Sequence, residues 1–234
     1  MSTSSEFLEL LQKTFSFENV DWSEVLKATN ETLYMTFVST FYVFILGLIL
    51  GLFFYLTDDG KALANKVVHT LLSIFINIFR SIPFIILIAL LIPFTKSLMG
   101  TMLGPRGAIP TLVISAAPFY ARLVSIALTE IPTGVVEAAE SMGASTFQVI
   151  RKVLIPEALP ALISGITVTA IALIGSTAVA GVIGAGGLGN LAYLIGFTRN
   201  RQDIVLVATI AILILVFIIQ FVGDFLTKLV DKRS

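Results

Sequence analysis

The chain has 234 residues, of which 56% are hydrophobic and only 13% are charged. Soluble domains are about 45–50% apolar, so this composition excludes an ordinary soluble globular protein and indicates a membrane protein. Fifteen basic and fifteen acidic residues give a formal net charge of zero, which leaves no basic excess for binding nucleic acid. The sequence contains no cysteine, which excludes disulfides, thiolate catalysis and thiolate metal sites.

Long uncharged runs predict a polytopic α-helical membrane protein. A membrane-spanning helix needs about 20 mostly apolar residues, and these runs are continuously apolar rather than alternating, which disfavours a β-barrel. We predict five transmembrane helices, at residues 33–56, 77–95, 108–128, 158–183 and 204–222. The second is the end of a longer apolar region, 67–95, in which Pro83 is expected to bend the helix.

The two ends of the chain are predicted to lie on opposite sides of the membrane. Residues 1–30 are expected to form an N-terminal extension, extracellular or interfacial, in which residues 6–28 are weakly amphipathic. Residues 31–228 are predicted to form the transmembrane domain, and residues 229–234 a basic cytoplasmic tail. The segment between the third and fourth spans, 131–157, then lies in the cytoplasm.

The predicted spans lack the groups that most energy-converting membrane proteins need. None of them contains Asp or Glu, so the chain has no buried carboxylate relay of the kind used by ion-coupled transporters. It has no G-x-x-x-x-G-K-[ST] phosphate loop, and His69 is its only histidine. We therefore expect no nucleotide hydrolysis, no multi-histidine metal site and no cofactor in this chain. Arg80 and Arg122 are expected to reach the cytoplasmic interface or lipid headgroups.

One glycine-rich run, Gly184 to Gly189, matches the dinucleotide-binding pattern G-x-G-x-x-G. That pattern acts in nucleotide binding when it follows a β-strand in a βαβ unit, whereas here it follows a predicted transmembrane helix. We interpret the run as a tight glycine turn that ends the fourth span.

The central segment 131–157 carries a helix, a glycine turn and a second helix. Four apolar residues recur at helical spacing and predict one apolar face on the first helix: Val135, Ala138, Ala139 and Met142. Gly143 is placed to end this helix, because glycine adopts positive φ without steric cost.

Ser145 and Gln148 have the spacing of a capping box, which predicts the start of the second short helix. Its apolar side carries Phe147, Ile150 and Leu154, and Pro156 and Pro160 mark the beginning of the fourth span. From the pattern alone, the segment either packs back on its own membrane domain or serves as a docking element for a soluble partner.

The segment resembles the E-A-A-x3-G-x9-I-x-L-P motif of permease subunits of bacterial ABC importers. Glu137-Ala138-Ala139, Gly143 and Pro156 match it, with conservative changes at Val153 and Ile155. The resemblance extends over about residues 31–227. Further stretches resemble the methionine-importer branch of the family: 31–36, 80–87, 156–160 and 165–169.

This resemblance implies an all-α, type I ABC importer permease with five spans, located in the bacterial cell membrane, which imports methionine without being an enzyme itself. The implied partners are a second copy of the chain, two ATPase subunits that bind ATP and Mg, and an extracellular methionine-binding protein. The segment 131–157 would be the coupling helix that docks on the ATPase. The docking residues that it implies are Glu137, Ala138, Ala139, Met142, Gly143, Phe147 and Pro156.

Small polar residues are expected to line the translocation path, with Ser81, Ser115, Ser176 and Thr177 as candidates. For each of them the alternative is an ordinary hydrogen bond between helices. Two alternative functions stay open at this point: a permease for another amino acid or glycine betaine, and a passive channel or membrane-embedded lipid enzyme.

Overall fold

The structure is a computed structural model that describes residue 17 and residues 20–231. This part of the chain is helical and contains no β-strand. We number its helices α1 (Trp22–Leu56), α2 (Lys66–Ser81), α3 (Phe84–Leu90), α4 (Ile92–Met99), α5 (Gly104–Thr129), α6 (Thr133–Ser141), α7 (Thr146–Ala185), α8 (Gly187–Phe197) and α9 (Gln202–Val230).

Four of these helices, α1, α5, α7 and α9, are long and apolar enough to cross a membrane. Helices α2 and α3, which are bent by 105° at their junction, add a fifth only if the pair is counted as one broken span. The described part of the chain therefore fits the predicted all-α architecture with up to five spans.

The helix that contains the first predicted span begins before that span. Helix α1 starts at Trp22 rather than at Leu33, and residues 22–28 of the predicted surface segment belong to it, whereas most of residues 6–19 lie outside the described part. The carboxylate of Asp21 precedes the helix and accepts hydrogen bonds from Ser23 N–H and Glu24 N–H, at 2.9 and 3.3 Å. These bonds, first among them those with Ser23, lower the pKa of Asp21. The polar residues after Asp21 are compatible with a helix once its first N–H groups are capped.

The apolar region 67–95 is divided at Pro83. Asn65 caps α2 by accepting hydrogen bonds from Val67 N–H and Val68 N–H, both at 3.1 Å. Of the residues of α2, only Ile76 is buried. The helix runs through Asn77 without a break, and the prediction that the membrane-crossing part starts there stays a prediction. The break between α2 and α3 confirms the predicted bend at Pro83. Its cause is that the residue before a proline is disfavoured in helical conformation.

Prolines elsewhere do not interrupt the helices. Pro110 and Pro118 lie within α5, which is continuous from Gly104 to Thr129. Pro156 and Pro160 lie within α7. A proline in the first turn of a helix removes no hydrogen bond, but these residues lie deeper. Neighbouring helices and local π-type turns satisfy the freed backbone groups in such membrane helices.

The chain divides into two compact units. The first contains the described residues of Met1–Ser39, together with Phe84–Leu112 and Ala172–Ile218; the second contains Thr40–Pro83, Val113–Ile171 and the described residues of Ile219–Ser234. Each has its own core and is described by itself below.

The core of the second unit depends on close approach of α1 and α5. A Cβ atom on Gly47 would lie 2.8 Å from Tyr120 Cδ1, and one on Gly51 would lie 2.6 Å from Ala121 O. Tyr120 is fully buried and its hydroxyl donates a hydrogen bond to Leu162 O at 3.2 Å. Small residues at such crossings are typical of membrane helices, which lack a hydrophobic driving force for association.

Candidate functional site

The predicted helix–turn–helix between the third and fourth spans is present. Helix α6 runs from Thr133 to Ser141 and is followed by Gly143 with φ of +83°. The N–H of Gly143 donates to Glu140 O at 2.9 Å. A Cβ atom on Gly143 would meet nothing within 4 Å, so only the backbone conformation requires glycine here. The prediction that Gly143 ends this helix is confirmed.

The predicted capping box is also present at the start of α7. Ser145 N–H donates to Gln148 Oε1 at 2.8 Å, and Gln148 N–H donates to Ser145 Oγ at 3.4 Å. The second short helix, however, is not separate, because α7 continues without a break from Thr146 through Ala180. A π-helical turn at Ile150–Leu154 directly precedes Pro156. This wider turn accommodates a residue that cannot donate to the regular hydrogen-bond series.

Most of the predicted docking residues are exposed. Met142 and Phe147 are 83% and 68% exposed, and the other exposed members are Glu137, Ala138, Gly143 and Pro156. Ala139 is buried. The predicted apolar face of α6 is therefore not packed as one surface, since only Ala139 points into the chain's own core. Large exposed apolar side chains beside a charged helix are typical of an interaction surface.

The inner side of α6 packs against the turn that follows α1. A cavity of about 100 Å³ lies between them. Lys61 and Glu137 are among its lining residues, and Lys61 Nζ lies 4.8 Å from the centre of the Tyr55 ring. One side of the segment thus packs on its own domain and the other side is exposed, and docking of a soluble partner on the exposed side stays a prediction.

The candidate path residues are not gathered in one unit. Ser81 and half-buried Ser115 belong to the second unit, and Ser176 and Thr177 belong to the first. The hydroxyls of Ser81, Ser176 and Thr177 donate to carbonyls of their own helices, those of Asn77, Ala172 and Ile174. Thr177 is only 1% exposed. A role of these four residues in translocation stays a prediction.

The glycine run forms the turn between α7 and α8, as predicted. Gly184, Gly186 and Gly187 have φ of +102°, +81° and +77°. No strand precedes the run in the described part of the chain, so the context of a dinucleotide site is missing.

Sequence reasoning missed the residues that hold this turn. Glu31 Oε2 accepts a hydrogen bond from Gly187 N–H at 2.7 Å, and Thr32 Oγ1 accepts one from Leu188 N–H at 2.9 Å. These are the first N–H groups of α8, and the residue before the helix, Gly186, offers no side chain to cap them. A carboxylate at a helix N-terminus is also favoured by the helix dipole.

The turn has no room for larger residues beside this pair. A Cβ atom on Gly186 would lie 2.5 Å from Glu31 Oε2, and one on Gly187 would lie 2.7 Å from Thr32 Oγ1. Residues 31 and 32 stand out in the sequence only as part of the family resemblance, since a Glu before an apolar run is ordinarily a surface residue. The contact joins residues 156 positions apart, and no local pattern indicates it.

Long apolar helices with an exposed charged segment between them define an integral membrane protein. Residues 45–234 match the family model described as binding-protein-dependent transport system inner membrane component, and the chain belongs to that family.

Characterised relatives carry specific names. The chain is 61% identical to the methionine import system permease protein MetP of Bacillus subtilis (strain 168), over 93% of this chain and 98% of the relative. It is 48% identical to the probable D-methionine transport system permease protein MetI of Pasteurella multocida (strain Pm70), over 91% of this chain and 98% of the relative.

Solved structures share the fold. An inward-facing structure of the MetNI methionine ABC transporter matches with a TM-score of 0.88 and 41% identity, covering 99% of this chain and all of that one. A bacterial ABC transporter for alginate import matches with a TM-score of 0.72 at 14% identity, over 99% and 91% of the two chains. At that identity the match shows the fold alone.

Proposed function

We propose that this chain is the membrane-spanning permease subunit of an ABC importer that moves methionine into the cell by alternating access. The observation that carries the proposal is the exposed segment of α6 and the start of α7, which matches the docking motif and presents Met142 and Phe147 away from the protein's own core. The names of relatives at 61% and 48% identity support methionine as the substrate.

Energy then enters from outside the chain. Two copies would form the translocation pore and match a two-fold pair of ATPase subunits that bind ATP and Mg. Closure of the ATPase pair would move α6 and the start of α7, and with them the spans, as a rigid-body transition. A methionine-binding protein outside the cell would deliver the substrate.

The domain boundaries and orientation belong to the same proposal. Residues 31–228 form the transmembrane domain, and the extension 1–30 lies outside the cell or at the interface. The segment 131–157 and the tail 229–234 lie in the cytoplasm, where the ATPase is.

Two substitutions in the exposed segment test the docking role. Glu137→Lys reverses a charge at an exposed position of α6, and Gly143→Pro removes the positive φ that the turn needs. Each is expected to weaken binding of the purified ATPase by about tenfold or more, equal to about 1.4 kcal/mol, while the melting temperature of the membrane domain stays near that of the wild type. The measurement is ATPase binding in detergent, together with stimulation of ATP hydrolysis.

The matched control is Lys96→Glu, a charge reversal at an exposed position of α4 outside the segment. It should bind the ATPase like the wild type. Normal binding and stimulation by both Glu137→Lys and Gly143→Pro would contradict the docking assignment.

The substrate is tested separately from docking. Uptake of labelled L-methionine, D-methionine and glycine betaine would be compared in cells that lack their own methionine importer. Uptake of glycine betaine or another amino acid, with no methionine uptake, would favour the alternative permease.

A further inference from the structure

A polar cavity of about 450 Å³ lies in the second unit and is lined by no residue of the segment 131–157. Its walls are the ends of α1 and α5 and the first turn of α2, and eight residues line it: Phe54, Asp58, His69, Arg122, Ser125, Ile126, Thr129 and Glu130. Both α1 and α5 are membrane-spanning helices that end within a few residues of this cavity, at Leu56 and Thr129. The cavity therefore lies at the level where a span meets lipid headgroups.

Two basic side chains are held at this cavity by one buried ring. Phe54 is 3% exposed. The imidazole of His69 stacks on it with ring centres 4.5 Å apart. The Arg122 guanidinium lies 5.5 Å from its centre. His69 Nδ1 also lies 3.1 Å from Phe54 O. A buried aromatic ring thus fixes the positions of both groups, with a cation–π contact for the arginine.

Two charged groups of the cavity have no polar partner in the described part of the chain. Arg122 and Glu130 form no side-chain hydrogen bond or ion pair with any described residue. Glu130 lies eight residues beyond Arg122, about 12 Å along the helix direction, so the two cannot pair with each other. Asp58 lies at the same cavity, 3.7 Å from His69 Nε2. A guanidinium two turns inside a membrane span is costly without an anionic partner.

The arrangement matches a ligand that carries both charges. Arginine binds phosphate oxygens through its fork of N–H donors, and the hydroxyls of Ser125 and Thr129 line the same wall. The carboxylates of Asp58 and Glu130 suit a primary ammonium group, which donates three hydrogen bonds. A phosphate joined to an ammonium is the headgroup of an aminophospholipid.

A second cavity provides the place for the acyl chains. It has a volume of about 440 Å³ and lies between the same helices, α1, α2 and α5. Every lining side chain is apolar: Leu46, Ile49, Leu50, Phe53, Val68, Leu72, Phe75, Val113, Ile114, Ala117 and Pro118. On both α1 and α5 these residues precede those of the polar cavity, towards the interior of the span. Ala117 lies about 7 Å before Arg122 along the helix.

We propose that these two cavities form a binding site for a zwitterionic aminophospholipid, with its phosphate at Arg122, its ammonium at Asp58 and Glu130, and an acyl chain against α2. The order of polar and apolar residues favours a lipid over a free amino acid, which has an anion and an ammonium but no chain to fill the apolar cavity. The inference does not depend on what the protein transports.

The test uses the full-length chain, delipidated in detergent, with dioleoyl phosphatidylethanolamine, phosphatidylcholine or phosphatidylglycerol added. Retained lipid is counted by native mass spectrometry. The wild type is expected to retain phosphatidylethanolamine best, because the quaternary ammonium of phosphatidylcholine cannot donate to carboxylates and phosphatidylglycerol has no ammonium. Arg122→Gln is expected to weaken phosphatidylethanolamine binding about tenfold or more.

Further variants separate the parts of the site. Arg80→Gln, at an exposed arginine of α2 that lines neither cavity, should retain the lipid like the wild type. Asp58→Asn combined with Glu130→Gln should remove the preference for phosphatidylethanolamine over phosphatidylcholine while binding of both continues. Melting temperatures identify any variant that fails to fold, and Arg122→Lys, which keeps the charge, should then recover part of the binding.

Three outcomes would overturn the proposal. They are equal retention of the three lipids by the wild type, an equal loss of lipid in Arg80→Gln and Arg122→Gln, and displacement of the lipid by free L-methionine, which would assign the cavity to a soluble amino acid.

Discussion

Replacement of Gly189 by valine is expected to prevent the α7–α8 turn from closing and to destabilise the chain by about 3 kcal/mol or more, at or above the upper end of ordinary overpacking. A Cβ atom at this position would overlap the carbonyl oxygen and the Cα of Ala178, and it would lie 2.6 Å from the carbonyl carbon of that residue. These are backbone atoms of the facing helix, so no side-chain rotation relieves the overlap. Gly187, Leu188 and Gly189 are all buried.

The same crossing is tight one turn further along α7. A Cβ atom on Gly181 would lie 2.6 Å from Asn190 N and 2.7 Å from Gly186 O. The Nδ2 of Asn190 donates to Gly181 O at 3.3 Å. A shift of α8 away from Ala178 would stretch this hydrogen bond.

Thermal unfolding of the detergent-solubilised chain measures the effect, with size-exclusion chromatography to detect aggregation. Gly175→Ala is the matched control, because Gly175 lies in the same helix, α7, and a Cβ atom there would meet nothing within 4 Å. We expect Gly175→Ala to melt near the wild type, since alanine is favoured over glycine within a helix. A Gly189→Val chain with the wild-type melting temperature would contradict the close packing described here.

Local patterns predicted the features that depend on a few neighbouring residues. The positive φ of Gly143 and the capping box of Ser145 and Gln148 follow from short-range backbone geometry, and both are present. The break at Pro83 follows from the restriction that proline places on the residue before it. The glycine turn after α7 was predictable because glycine adopts positive φ without steric cost.

Features that depend on distant contacts were not predictable in this way. Hydropathy placed the start of the first span at Leu33, because it detects apolar content and not the cap that Asp21 provides to the helix twelve residues earlier. The proline signal suggested that the fourth span begins at Pro156, whereas a π-helical turn lets α7 continue through this residue. Periodicity grouped Ala139 with Met142, but it cannot distinguish a face that packs on the chain's own core from one left exposed.

The most consequential of these long-range contacts are the two hydrogen bonds that Glu31 and Thr32 accept from the first turn of α8. Glu31→Lys is expected to open this turn. The substitution removes the acceptor for Gly187 N–H and places an ammonium at a helix N-terminus, where positive charge is disfavoured. Leaving a partly buried N–H without an acceptor costs about 1–3 kcal/mol. Hydrogen exchange at the amides of Gly187 and Leu188 should therefore become roughly 10- to 100-fold faster.

A graded series distinguishes the hydrogen bond from the charge. Glu31→Gln keeps an oxygen acceptor and should give a small increase in exchange, whereas Thr32→Val keeps the shape and removes the acceptor for Leu188 N–H. Lys27→Glu, a charge reversal at an exposed position one turn earlier in α1, should leave exchange at both amides unchanged. Because Gly187 also has no space for a side chain beside Thr32, the loop cannot replace the lost acceptor with one of its own. Unchanged exchange in Glu31→Lys would mean that the glycines hold the turn without help from α1.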